Sequence, residues 1–236
     1  MIELSPHRAA SNPAMGAHVF ENALPSSLFD RVASAVRATG GERLKRNYTT
    51  TFWFAMGAAP RNVAEDAIVD LLRLANPGPD CVGVEWWLGR LPQGKKLRFH
   101  FDRDMTLRKE TGQFVHPILA SILYLNLFPS SPTVILDQVP GPDGESRIPE
   151  KPGVRAAVDA VPNRYLVFPG NLRHGVRPRA AAADDPGHAT SELRLTLLVN
   201  YWDRRPLPPM CRDYDGSIYP SLQHEAARPL AILGKS

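Results

Sequence analysis

From residue 82 onward the chain is a succession of short apolar runs, each ended by proline, glycine or a polar turn, with no helical periodicity between them. Runs of this type cover residues 82–91, 97–102, 118–127, 133–136, 156–161, 165–168 and 193–202, and an earlier one covers 48–54. Strands that follow one another without crossover helices pair antiparallel, so this pattern predicts a mainly β fold, a sandwich or jelly roll. The 23 prolines and 17 glycines are what so many strand ends require.

Two helices precede most of these strands. Leu28, Phe29, Val32, Ala33 and Val36 recur at helical spacing after Ser26 and Ser27, either of which can serve as N-cap, and Gly40-Gly41 closes the run. Asn62, with Glu65 three residues on, predicts a second helix that stops at Asn76-Pro77-Gly78 and presents Ile68, Leu71, Leu72 and Ala75 on one face. Both are amphipathic and need a surface to lie on. The expected organisation is one domain: a support layer in 1–80, a β core in 82–204 and an extension in 205–236. Residues 139–153 and 180–192 read as loop insertions at the rim.

Composition excludes several classes. At 236 residues and 43% apolar content the chain can bury a sizeable core. No apolar run of signal-peptide length opens it and none reaches the length of a membrane span, so a soluble, cytoplasmic protein is expected. Cys81 and Cys211 are far apart and without CxxC spacing, which predicts two free thiols. The net charge of +4 comes from scattered Arg and Lys, and no aromatic and basic interleaving is present, which argues against a nucleic-acid partner.

The stretch LRFHFDRD, residues 97–104, places His100, Asp102 and Asp104 on one side of a strand, where an imidazole and a carboxylate can grip a single cation. Seven histidines and 24 acidic residues would supply about 0.7 such pairs by chance, so the motif alone is weak. His174, beside a Pro-Gly turn after the run 165–168, offers a third ligand. Two His and one carboxylate suit a non-haem Fe(II) centre with open positions, and equally zinc, manganese or nickel. Arg194 sits inside the strongly apolar run 193–202 and needs an anionic partner there, either a dicarboxylate chelating the metal or one of the protein's own acidic side chains. Thr196 shares its face and adds a hydroxyl.

The order His100-x-Asp102, Tyr124-Leu125-Asn126, His174, Arg194-x-Thr196 and Trp202 resembles that of the Fe(II)- and 2-oxoglutarate-dependent dioxygenases, in their prolyl-hydroxylase-like branch. The likeness covers residues 82–204. ILYLN is similar to that branch's tyrosine-bearing strand, VPNRYLVFPGNLRHGV to its strand, turn and metal histidine, and ELRLTLLVNYW to its 2-oxoglutarate arginine strand. The resemblance implies a double-stranded β-helix of jelly-roll or cupin-like type, with Fe(II) on His100, Asp102 and His174. It further implies 2-oxoglutarate on Arg194, helped by Tyr124 and Thr196, and O2 as co-oxidant.

The reaction so implied is hydroxylation of a C–H bond in an amino-acid, peptide, protein or small-molecule substrate, with release of succinate and CO2. A carboxylate ligand leaves no position for a halide, which argues against halogenation. Asp104, which shares the ligand face, then becomes a supporting or substrate residue, along with Asn126 and Trp202. Arg98 and Arg103, with Arg173, Arg177 and Arg179, are candidates for holding an anionic substrate. Arg194 lies further from His174 than is common in the family. The 180–192 run accounts for this as an insertion, with Arg177 or Arg179 as alternative anion clamps. The nucleic-acid-demethylating branch carries a second arginine six residues after the first, where this chain has Asn200. A metal-binding protein of the same fold without oxygenase activity is the competing class; it has no need of Arg194, Thr196 and Tyr124.

Overall fold

The computed structural model describes residues 16–178 and 193–224, and the side chains of all of these but residues 129 and 130. The 180–192 run and Arg179 lie outside the described residues. After a short strand β1 (His18–Phe20), helix α1 (Ser26–Thr39) begins one place earlier than a serine cap would allow. Pro25 holds the N-cap position without a side-chain hydrogen bond, so Ser26 and Ser27 fall in the first turn. Gly40, at φ 79°, ends the helix as expected, and the chain turns at once into a short helix α2 (Gly41–Arg46), too brief for periodicity to announce.

After β2 (Thr51–Ala55), helix α3 (Val63–Ala75) is capped as its sequence predicts. The Asn62 side chain accepts from the N–H groups of Ala64 and Glu65, and Asn76 closes the helix in the left-handed conformation. Val32 and Val36 of α1 and Ile68 and Leu71 of α3 are buried in one cluster with Phe52, Trp86 and Leu88. Each such side chain contributes about 1.5–3 kcal/mol by leaving water.

The remaining elements are β3 (Gly83–Pro92), β4 (Leu97–His100), α4 (Met105–Thr111), β5 (Leu119–Tyr124), β6 (Phe128–Leu136), β7 (Val139–Pro140), β8 (Arg147–Ile148), β9 (Val154–Ala160), β10 (Tyr165–Pro169), β11 (His174–Val176), β12 (Leu193–Trp202) and β13 (Cys211–Asp213). They form a seven-stranded sheet in the order β1-β10-β5-β12-β3-β2-β13, a four-stranded sheet β4-β11-β6-β9, and a hairpin β7-β8. Every pairing is antiparallel except that of β13 with β2. The two sheets face each other as a double-stranded β-helix, the expected jelly roll.

Alternation along β12 distributes its side chains between two cores. Leu195, Leu197, Val199 and Tyr201 join the helical layer, whereas Arg194, Thr196, Leu198 and Asn200 turn toward the smaller sheet. Between the sheets, Ile122, Tyr124, Phe128, Ile135, Val158, Leu166 and Phe168 fill one part of the interior, and the rest is the site. The rim segment 139–153, expected as a bare insertion, carries the β7-β8 hairpin. Its Glu145 pairs with Arg108 of α4, and Gly144 lies flat on Phe114, where any side chain would collide. Cys81 and Cys211 are free and buried, and no helix among the described residues is long and apolar enough to cross a membrane.

Candidate active site

His100 and His174, distant in sequence, are direct cross-strand partners because β4 and β11 pair antiparallel. Their ring centroids stand 4.5 Å apart. Each ring's Nδ1 lies against a backbone carbonyl two residues back, Arg98 O at 2.8 Å and Leu172 O at 3.0 Å. Donation from Nδ1 fixes the tautomer, so each Nε2 carries its lone pair into the cavity. Asp102 follows β4 and meets both: Oδ1 is 3.4 Å from His100 Nε2 and Oδ2 is 3.7 Å from His174 Nε2. One ligand atom from each of the three lies within 4.8 Å of the other two, a spacing a single cation can span.

This pairing depends on Gly175. A Cβ there would stand 2.8 Å from Leu97 O and 3.1 Å from the Phe99 Cα, both backbone atoms that cannot yield locally. Gly175→Ala is expected to push β4 off β11, costing about 1–3 kcal/mol of stability as overpacking does and weakening metal binding together with it. Thermal unfolding and Mn(II) titration of the same variant check both.

Burial favours the neutral form of all three groups, but their mutual charges reverse this for two of them. Burial pushes the Asp102 carboxyl up, yet the charge of His174, and after it the hydrogen bond and charge of His100, hold it well below the usual carboxylate range. Asn200 Nδ2 adds a hydrogen bond to Oδ2 at 3.1 Å. Burial lowers the His100 imidazole, and Asp102 more than offsets this to raise it. His174, fully enclosed, is lowered by burial. An ionised carboxylate beside a neutral imidazole is the state a divalent cation requires.

Arg194 closes the far end of the same cavity. Its NH2 group donates to Thr133 Oγ1 at 2.5 Å, Tyr124 donates to the same oxygen at 2.8 Å, and the guanidinium carbon lies 5.1 Å from the centroid of the Tyr124 ring. Its Nε is buried with no hydrogen-bond partner, and no acidic side chain among the described residues pairs with it. Of the two partners its sequence position allows, a protein carboxylate is therefore absent among the described residues. A buried cation that lines a cavity without an acidic partner among the described residues is suited to receive an external anion.

A solved structure similar to this one is a prolyl-4-hydroxylase from Pseudomonas putida, 20% identical, with a TM-score of 0.50 over 83% of this chain and 93% of that one. The chain has the prolyl-4-hydroxylase fold. Two further similar structures are a collagen prolyl hydroxylase of Paramecium bursaria Chlorella virus-1 (13% identity, 86% of this chain and 96% of that one, TM-score 0.45) and SnoN, a non-haem α-ketoglutarate-dependent epimerase of nogalamycin biosynthesis (15%, 83% and 81%, 0.45). No protein-family model matches the chain, and no curated protein matches it.

Within the prolyl-4-hydroxylase fold several residues singled out from sequence serve elsewhere. Asp104 is not beside the three ligand groups: it caps α4 by accepting from Leu107 N and also accepts from Leu207 N, both at 2.9 Å. Asn126 is a backbone clip, with Nδ2 on Leu193 O and Oδ1 receiving Leu195 N, both at 2.8 Å, and it fixes the start of β12. Trp202 is fully buried with Trp53 and Cys211. Thr196 keeps the inward face but lies over Gly89, which leaves room for it. Arg103 stacks on Phe114 and reaches Glu145 at the rim, while Arg98 is exposed. Arg177 and Arg173 stack on Phe99 rather than on the cavity. His116 is half-buried with Nδ1 2.6 Å from Asp102 O. Trp87 lines the cavity with Tyr48 and Thr133. Nothing in the local sequence marks Trp87, Thr133 or Tyr48 as lining residues.

Glu85 is another residue that the sequence does not mark. It stands across from Asn200 on β3, accepts from Thr51 Oγ1 at 2.6 Å, and its carboxyl is pushed up to about 7, chiefly by burial. The folded protein thus holds this proton more tightly than the unfolded chain. The resulting stabilisation is full below the ordinary carboxyl pKa of about 4.3 and is lost as pH rises through about 7. Glu85→Gln is expected to flatten that dependence and to gain about 2 kcal/mol at pH 8, read from urea unfolding at pH 5 and pH 8.

Proposed function

We propose that this protein is a non-haem Fe(II)- and 2-oxoglutarate-dependent dioxygenase that hydroxylates an unactivated C–H bond of an amino-acid, peptide, protein or small-molecule substrate, releasing succinate and CO2. The observation that carries the reading is the joint occurrence, in one cavity, of the His100, Asp102 and His174 donor set and the Arg194 guanidinium, which has no acidic partner among the described residues. A protein that merely held a metal would have no use for that guanidinium.

The residues fit the implied metal and cosubstrate. Nδ1 of each histidine is already engaged, Asp102 is held ionised, and two imidazoles with one carboxylate leave coordination positions open for a chelating acid and O2. Iron with 2-oxoglutarate supplies the oxidising chemistry. The protein's own part is to orient and to exclude. His100, Asp102 and His174 would hold the ion, Arg194 would take the distal carboxylate, and Thr133 and Tyr124 hold the guanidinium in place. Leu198, Ile122 and Phe168 make the wall apolar, which strengthens each polar contact inside it.

Anaerobic titration with Fe(II) and then 2-oxoglutarate tests the reading. A weak visible charge-transfer band is expected on chelation of the iron by the 2-oxo acid. Absence of a band, with or without candidate substrates, would overturn it.

A further inference from the structure

Five of the chain's six tyrosines spend their hydroxyls on the protein. Tyr165 and Tyr201 bond each other at 2.7 Å, Tyr124 donates to Thr133, Tyr214 to Tyr219 O, and Tyr219 to Asn47 O. Tyr48 is the sixth, and no described residue takes a hydrogen bond from its hydroxyl. It comes from the helical layer, in the turn between α2 and β2, yet it lines the same cavity as His100, Asp102, His174 and Arg194.

The turn that carries Tyr48 is pinned on both sides. On one side Asn47 bonds back to Arg43 O through its backbone N–H and its side chain, and its own carbonyl receives both Thr50 N and the buried Tyr219 hydroxyl. On the other, Thr51 is tied to Glu85 and to Met210 O. A side chain 37% exposed is thus held on backbone tied down at both ends, the support a positioned side chain needs. Burial raises the Tyr48 phenol, Asp102 raises it further and Arg194 opposes, so the ring feels both ends of the cavity.

We infer that Tyr48 is a positioning residue for the cosubstrate: its hydroxyl donates a hydrogen bond to a carboxylate of the 2-oxo acid lying between Asp102 and Arg194. The inference rests on the function proposed above and adds to it a third anchor, supplied from outside the β core. An O–H donor suits this place better than a second cation, since the anion's charge is already met by Arg194 and the metal.

Isothermal titration of the Mn(II)-loaded protein with 2-oxoglutarate, in the absence of substrate, reads the contact without turnover. Tyr48→Phe, which keeps the ring and its packing, is expected to weaken 2-oxoglutarate binding by about tenfold, the worth of one hydrogen bond to a charged group. Mn(II) affinity measured without 2-oxoglutarate and the unfolding temperature should both stay at their wild-type values. Equal affinity of Tyr48→Phe and wild type for 2-oxoglutarate would overturn the assignment and leave the oxygenase reading intact. Failure of the wild type itself to bind 2-oxoglutarate would refute the cosubstrate reading, and the role of Tyr48 with it.

Discussion

His174→Ala is expected to lower affinity for Fe(II) or Mn(II) by at least about 100-fold and to abolish turnover, because even a ligand's hydrogen-bond partner commonly accounts for 10–100-fold. Of the three donors His174 has the most fixed geometry, buried on β11 with Nδ1 on Leu172 O and its ring edge against Phe168. Equilibrium dialysis with Mn(II) separates this loss from unfolding, provided circular dichroism is unchanged. Metal binding at wild-type strength in this variant would move the centre elsewhere.

The second large effect is at Arg194. Truncating one member of a buried charge-assisted pair costs about 2–5 kcal/mol, so Arg194→Ala is expected to weaken 2-oxoglutarate binding by about 100-fold or more while sparing the metal. Arg194→Lys should recover only part of this, since an ammonium lacks the planar fork and its stacking on Tyr124. Stability should move the other way. With no acidic partner among the described residues, the guanidinium is held at a cost in the unliganded protein, and Arg194→Met is expected to unfold at a higher temperature than wild type when 2-oxoglutarate is absent. Adding saturating 2-oxoglutarate should reverse the order, because only the wild type gains from the ligand. Thermal melts with and without 2-oxoglutarate on metal-loaded protein check both halves.

The parts of the site that could be read from sequence are those whose chemistry is written locally. His100 and Asp102 stand two apart in one stretch, His174 follows a Pro-Gly turn, and a lone arginine among the seven apolar residues of the run 193–202 draws attention to itself. Thr133 is as close to Arg194 as any residue, yet nothing near it in sequence distinguishes it from other strand threonines. Its position follows from how β6 faces β12 across the jelly roll, which only tertiary packing decides. Tyr48 and Glu85 were hidden for the same reason. Asp104, expected as a supporting or substrate residue, has its carboxylate engaged by backbone N–H groups. An aspartate just before the helix-forming run Met105-Thr106-Leu107-Arg108-Lys109 is an N-cap signal, and that local use removed it from the ligand face. The serines before α1 show the converse: two good caps were passed over because Pro25 fixes the entry of the chain one residue earlier.

Strand β4 is only four residues long, lies at the outer edge of the smaller sheet, and has β11 as its one neighbour there. Short border strands are the first to peel from a sheet. Here the border strand holds one donor, its continuation holds a second, and the neighbour holds the third. A bound cation would therefore act as a rivet through the seam, and loss of the ion would loosen the wall of the cavity at the same moment that it removes the reagent.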